Sequence, residues 1–372
     1  MKQFLFNHLK NLKGWRTSGK LVAFAVDDYG NIRLHSSQAK EDLIKAGVKL
    51  KGRFDHLDAL DTSEDYRSLF AVLSSVQDKL GNPAIITPYA LSCNPDFEAS
   101  LAQGHYVPES LDLTYKRLAQ EDSVYEGTYE LILEGIAKKL IKPQFHGREH
   151  LNVHLFNAHL RSENPALLAN LAQRSLAGLP PHKDFPKVKF NQAFAFWRQE
   201  ELEQHKEILA DGLRRFEAIY GYPSLSFTPP AQQLATELYP FLGHQGVFGI
   251  DKLREAKRHL GQGKYQQEKN YLGAKGPGPT LSLVRNCVFE PNEKIKGREW
   301  VTFTLQQVAA AFRLNKPAII SSHRVNFCGH IDPKNREEGL SALEQLLKAI
   351  VKRWPEVEFI SISELVERIR ED

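Results

Sequence analysis

Short apolar runs recur along this chain, each followed by an amphipathic stretch, and this alternation limits the fold more than any other property. Residues 21–26, 84–89, 141–145, 225–228, 246–250, 281–288, 318–321 and 357–360 read as strands. Between or after them, residues 37–46, 63–80, 125–140, 164–176, 200–220, 304–314, 336–354 and 363–370 read as helices, and Gly47 and Gly81 stand where C-caps belong. Strands joined by helices pair in parallel, because a parallel partner is reached only through a crossover. The pattern of about eight strands predicts an α/β fold, a closed or distorted (β/α)7-8 barrel over residues 21–372 as one domain, preceded by a basic extension over residues 1–20. No Gly-x-Gly-x-x-Gly follows the first strand, which removes the main dinucleotide-binding fingerprint. Residues 91–123 and 177–191 have no clear pattern and are expected as long loops, walls of a cleft at the C-terminal strand ends.

Composition narrows the partners. A net charge of +4 is too small to argue for nucleic acid, so none is expected. Two stretches are locally basic: Lys2 to Lys20, with no acid before Asp27, and residues 252–275, with seven Lys or Arg against Glu255 and Glu268. Both read as solvated surface, or as attraction to an acidic glycan or a phosphate-linked sugar. Cys93, Cys287 and Cys328 are far apart and form no Cys-x-x-Cys, so neither a disulfide framework nor a zinc ribbon is indicated. Sparse cysteine of this kind fits a reducing compartment. The apolar start, Phe4-Leu5-Phe6, breaks at Asn7, too soon for a signal peptide, and no run has the length of a membrane span. A cytoplasmic protein without an integral membrane segment is expected.

The chemistry gathers at strand ends. Asp27 and Asp28 close the first strand, in Val26-Asp27-Asp28-Tyr29-Gly30. Adjacent carboxylates there are costly to bury unless a cation or hydrogen-bond donors satisfy them. His146 and His150 lie four residues apart in His146-Gly147-Arg148-Glu149-His150, after another apolar run. Together these residues are material for a mononuclear metal site with a spare base, and such a pair activates water at neutral pH. His323 ends a late strand in Ile320-Ser321-Ser322-His323-Arg324, and its titration range suits a general acid. Each element also has an ordinary reading: a turn or N-cap aspartate, a surface or core histidine without metal.

These three segments, in this order, resemble the polysaccharide deacetylase family of metal-dependent carbohydrate esterases, over roughly residues 21–369. The family carries an Asp-Asp motif after its first strand, a His-x-x-x-His motif after a later one and a strand-end His near the C-terminus. The segments from Asp27 to Arg33 and from His146 to Asn152 are similar to a subgroup with Asp-Asp-aromatic-Gly-x-Ile-Arg and His-Gly-Arg-Glu-His-Leu-Asn. The resemblance implies a distorted (β/α) barrel of the polysaccharide deacetylase type. It implies Asp27 as general base, Asp28, His146 and His150 as ligands of a divalent metal ion, commonly Zn2+, and His323 as general acid. An acetylated saccharide is the implied substrate, with Tyr29, Arg148 and Arg324 expected to contact it.

One departure stands out. The family places an Arg-x-Pro-aromatic motif after a middle strand, where the Arg holds the base carboxylate. Here the corresponding place reads Thr228-Pro229-Pro230-Ala231. Arg33, Arg148, Arg285 or Arg324 could supply the charge from elsewhere; without it the site would be slow, altered or inactive. Two other functions therefore stay open. One is a non-catalytic carbohydrate-binding barrel with Tyr29, Tyr89, Phe194, Phe196 and Trp197 as stacking surfaces. The other is a zinc peptidase built on His146-x-x-Glu149-His150 with Glu149 as base, a pattern that needs a regular helix, against which Pro143 and Gly147 argue.

Overall fold

A computed structural model describes residues 2–372. Nine strands form one sheet in which every pairing is parallel. In chain order they are β1 (Lys20–Tyr29), β2 (Ile86–Ala90), β3 (Gln144–Phe145), β4 (Ser226–Phe227), β5 (Gly249–Asp251), β6 (Leu281–Leu283), β7 (Cys287–Val288), β8 (Ala318–His323) and β9 (Val357–Phe359). Their spatial order is β6-β5-β4-β3-β2-β1-β8-β7, with β9 paired to the start of β1.

Strands β6 and β7 lie at opposite ends of that order, yet only residues 284–286 separate them in the chain. Four residue steps reach at most about 14 Å, so the two edges of the sheet must approach each other. The sheet therefore curls into a distorted (β/α) barrel, closed on one side by the chain itself and not by a ladder of hydrogen bonds. A single strand was expected over residues 281–288. The chain breaks instead at Arg285 and Asn286: the Arg285 side chain bridges Asp251 of β5 and Ser321 of β8, and Asn286 fastens the link to β8. Asn286 accepts from the Ile319 backbone N–H at 2.8 Å and donates to the Pro317 carbonyl at 2.9 Å.

The sheet has two apolar faces, as side-chain alternation requires. Along β1, Val22, Phe24 and Val26 pack outward into the large core under the helices. Leu21, Ala23 and Ala25 pack inward with Tyr89, Leu283 and Ile319, closed by Leu365, Val366 and Ile369 of the helix Ile362–Glu371. Each fully buried Val or Phe on the outer face contributes about 1.5–3 kcal/mol of hydrophobic stabilisation. The helix Lys2–Leu9 lies against the helix Trp300–Arg313, with Lys10 Nζ donating to Gln307 at 2.8 Å. Among the described residues, no helix is long and apolar enough to cross a membrane.

One segment differs from expectation. Residues 91–123 are not a loop: Cys93–Pro95 pairs antiparallel with Pro108–Ser110, and helices span Phe97–Gln103 and Leu111–Glu121. The signals were local, with Asp96 capping Ala99 N–H and Gly104 in the left-handed C-cap conformation at φ +71°. Residues 252–275 contain an exposed antiparallel hairpin, Glu255–His259 with Tyr265–Lys269. Residues 177–191 do lack helix and strand.

Candidate metal centre

Two carboxylates in succession on a strand point to opposite faces, yet here both reach the cleft at the C-terminal end of the barrel. Asp27 follows Ala25 on the inner face and sits opposite His323 in the β1–β8 register. Asp28 would point outward if β1 stayed regular. Instead the pairing of β1 with β2 slips between Val26 and Tyr29, and Asp28 takes the left-handed region at φ +75°. An irregularity of this kind re-aims a side chain, and a non-glycine residue there is strained.

The strain brings Asp28 to two imidazoles. Its Oδ1 lies 3.2 Å from His146 Nε2 and 3.2 Å from His150 Nε2. One ligand atom from each of the three residues falls within 4.8 Å of the others, a set that among the described residues occurs once. The segment from His146 to His150 is a turn after β3, not a helix, and Gly147 takes φ +113°. A Cβ on Gly147 would come within 3.3 Å of the Glu149 carbonyl and the Pro230 ring, so glycine belongs there.

The donor set fits a cation. His146 Nδ1 lies 2.7 Å from the Thr228 carbonyl, an acceptor only, so Nδ1 carries the proton and Nε2 of a neutral ring presents its lone pair to the Asp28 carboxylate. Two lone pairs facing each other at this distance need a positive charge between them, a further proton or a metal ion. His150 Nδ1 is buried without a partner. Burial works against the Asp28 charge, but the contacts from His146 and His150 hold its carboxyl well below the usual range.

Asp27 is held by Arg285. The guanidinium donates through Nη2 to Asp27 Oδ1 and through Nη1 to Asp27 Oδ2, both at 2.7 Å. Nη2 also meets Thr228 Oγ1 at 2.9 Å and Asp251 Oδ2 at 2.9 Å, and Nη1 meets Ser321 Oγ at 3.2 Å. Burial disfavours the Arg285 charge, and Asp251 and Asp27 restore it and push its pKa above the ordinary value. A guanidinium thus stands beside Thr228, at the place where the sequence lacks an arginine. It arrives from the chain link between β6 and β7, so barrel closure supplies it.

His323 is oriented from behind. Its Nδ1 lies 2.6 Å from Glu290 Oε1, and Glu290 is paired in turn with Arg53 and accepts from Asn326 Nδ2 at 2.7 Å. Burial opposes protonation of the ring, but Glu290 outweighs it, and the His323 pKa rises to about 9. With Nδ1–H given to Glu290, Nε2 faces the cleft, 4.0 Å from Asp27 Oδ2. The ring stands edge-on to Phe54 at 5.2 Å.

Asp27, Asp28, His146, His150 and His323 all line one cavity of about 210 Å³ with Thr228 at its wall. The three residues expected to contact substrate do not line it. Tyr29 is 3% exposed and packs in the outer core. Arg148 donates to Glu149 at 2.6 Å and to Asp211 at 3.2 Å. Arg324 is buried, donating to Asp58 and Asp61 at 2.8 Å each. All three carry polar groups on strand ends or turns, but each is drawn into the protein by its own partners. Glu149 also turns away from the cleft, bound by Arg148 and by Tyr106 Oη at 3.1 Å. Sequence reasoning did not single out Asp251, Glu290 or Arg53. Asp251 and Glu290 each follow an apolar run much as Asp27 does, which was a usable signal; Arg53 had none.

No protein-family model matches this chain. Nor does any curated protein. Among solved structures, the chain is similar to a Mycobacterium smegmatis protein assigned by its name to the polysaccharide deacetylases: 12% identity, TM-score 0.46, covering 96% of this chain and 93% of that one. It is similar to Puue allantoinase at 10% identity and TM-score 0.46, covering 95% and 91%. A probable polysaccharide deacetylase from Pseudomonas aeruginosa PAO1 shares 10% identity at TM-score 0.45, covering 95% and 92%.

Proposed function

We propose that this protein is a metal-dependent hydrolase that removes an acetyl group, N- or O-linked, from a saccharide. The observation that carries the reading is the division of labour between the two aspartates. Asp28 lies against His146 and His150, and Asp27 is set apart from them by the Arg285 clamp. Asp28, His146 and His150 would hold a divalent ion, with Zn2+ suited to one carboxylate and two imidazoles. When bound, such an ion supplies Lewis-acid charge and brings the pKa of water toward about 7.

This chain's own residues account for the protons. Asp27 Oδ2 takes a proton from the attacking water, in a position that Arg285 keeps fixed. His323 holds a proton at Nε2 at neutral pH, because Glu290 raises its pKa, and delivers it to the departing amine or alcohol. Thr228 supports both halves: its carbonyl orients His146 and its hydroxyl meets Arg285.

The binding-barrel reading drew on a missing arginine, and the Arg285 clamp speaks against it. The peptidase reading needs Glu149 at the cleft, and its bonds to Arg148 and Tyr106 speak against that. The test is acetate release by the metal-loaded protein across acetylated mono- and oligosaccharides. Asp27→Asn and His323→Ala should each lower kcat by about 100-fold or more. Binding of acetylated sugars with no acetate from any of them, under any divalent metal, would overturn the assignment.

A further inference from the structure

A second cavity, of about 490 Å³, opens beside the metal centre, and the two share Arg33, His150 and Asn191 as common wall. The larger cavity is lined by Lys49, Lys51, Lys189 and Arg33, with Asp55 as its one carboxylate. Asp55 is already engaged, accepting from Arg33 Nε at 2.9 Å and from the Lys51 backbone N–H at 2.9 Å. Among the described residues, the ammonium groups of Lys49, Lys51 and Lys189 pair with no carboxylate, and all three side chains are exposed. Leu176, Leu179, Pro180 and Phe190 add an apolar part to the lining.

A concave wall with cations of one sign and no matching anions concentrates negative ligands. The kind of anion follows from the kind of cation. A carboxylate is best met by the planar fork of an arginine, and here the only such fork, Arg33, is taken up by Asp55. Three ammonium groups on flexible stems act as point charges and suit a phosphate, which carries more charge and offers oxygens in several directions.

We infer that the acylated saccharide cut at this site carries a phosphate or diphosphate, held by Lys49, Lys51 and Lys189 while the acyl group lies at the metal centre. This rests on the acetyl-hydrolase reading and narrows its substrate class. The two basic stretches at residues 2–20 and 252–275 add no residue to either cavity; the cationic wall comes from residues the charge runs did not mark.

The test separates the anion site from the reaction. Calorimetric titration with inorganic phosphate and with pyrophosphate should show binding to the wild-type protein that weakens as salt rises. In the triple variant Lys49→Ala, Lys51→Ala, Lys189→Ala the affinity should fall at least about tenfold. These lysines are exposed, so the variant is expected to fold; circular dichroism checks it. In turnover, kcat/KM for N-acetylglucosamine 1-phosphate or for a nucleoside-diphosphate N-acetylglucosamine should exceed that for the free sugar by roughly tenfold or more, and the triple variant should lose that preference. Whichever ester is preferred tells a monophosphate from a diphosphate. Equal phosphate affinity in wild type and variant, or none in either, overturns the inference even if neutral acetyl-sugars are cut. Competition by glucuronate as strong as by phosphate overturns it in favour of an acidic glycan. Lysine-dependent phosphate binding with no acetate from any sugar overturns the hydrolase reading and, with it, the substrate named here.

Discussion

Two buried arginines of this barrel are each clamped between two aspartates, and only one of them serves the cleft. Arg324 binds Asp58 and Asp61 and the Asn31 carbonyl, with its side chain 1% exposed. Arg285 binds Asp27 and Asp251, with its side chain 10% exposed. The local chemistry is the same: burial opposes the charge, and paired carboxylates restore it. The difference lies in the partners. Asp58 and Asp61 are buried throughout, at 0% and 2% exposure, whereas Asp27 lines the cavity that holds Asp28, His146 and His150. An ion pair becomes part of a site when one of its carboxylates still has an edge open to a ligand.

The comparison breaks if the two clamps respond alike. Arg324→Ala leaves two buried carboxylates unpaired and should cost about 3–5 kcal/mol in urea unfolding, while acetate release per folded molecule persists. Arg285→Ala should show the reverse emphasis. Asp27 loses its anchor, and kcat should fall on the order of 100-fold with metal content retained. Equal loss of turnover in both variants would dissolve the distinction.

Smaller effects sharpen it. Asp28→Ala should weaken metal affinity by roughly 100-fold in a chelator competition, whereas Glu149→Gln should leave the metal in place. A peptidase-type site, with Glu149 as base, would instead leave metal affinity unchanged in Asp28→Ala. Glu290→Gln should move the alkaline limb of the pH–rate profile. The His323 proton is present at neutral pH and lost as pH rises through about 9. The Glu290 carboxylate raises that point, so removing it should shift the limb to lower pH by about one unit. An unmoved limb would mean that His323 is not the acid.

Much of this site was legible along the chain because its donors sit where local patterns end. Asp27, Asp28, His146 and His323 each follow an apolar run, and parallel strands bring such ends to one face. Two matters were not legible. The spacing of Asp27 and Asp28 alone argues for opposite faces, and the slip in β1 pairing that joins them in the cleft depends on the neighbouring strand. Residues 281–288 look like one strand because Leu281, Leu283 and Val284 before Arg285-Asn286 and Cys287 and Val288 after it read as one apolar run, and only the closing edges of the barrel split them.

The sequence by itself determined the βα alternation, the strand ends and the residue types able to hold a metal and move a proton. These depend on contacts within a few residues, which a linear pattern records. Tertiary structure alone decided which arginine clamps Asp27, and it drew Tyr29, Arg148 and Arg324 away from the cleft. Arg285 meets Asp27 across a sequence separation of 258 residues. That meeting exists because a curled parallel sheet closes on itself there, and no local propensity encodes where a barrel closes.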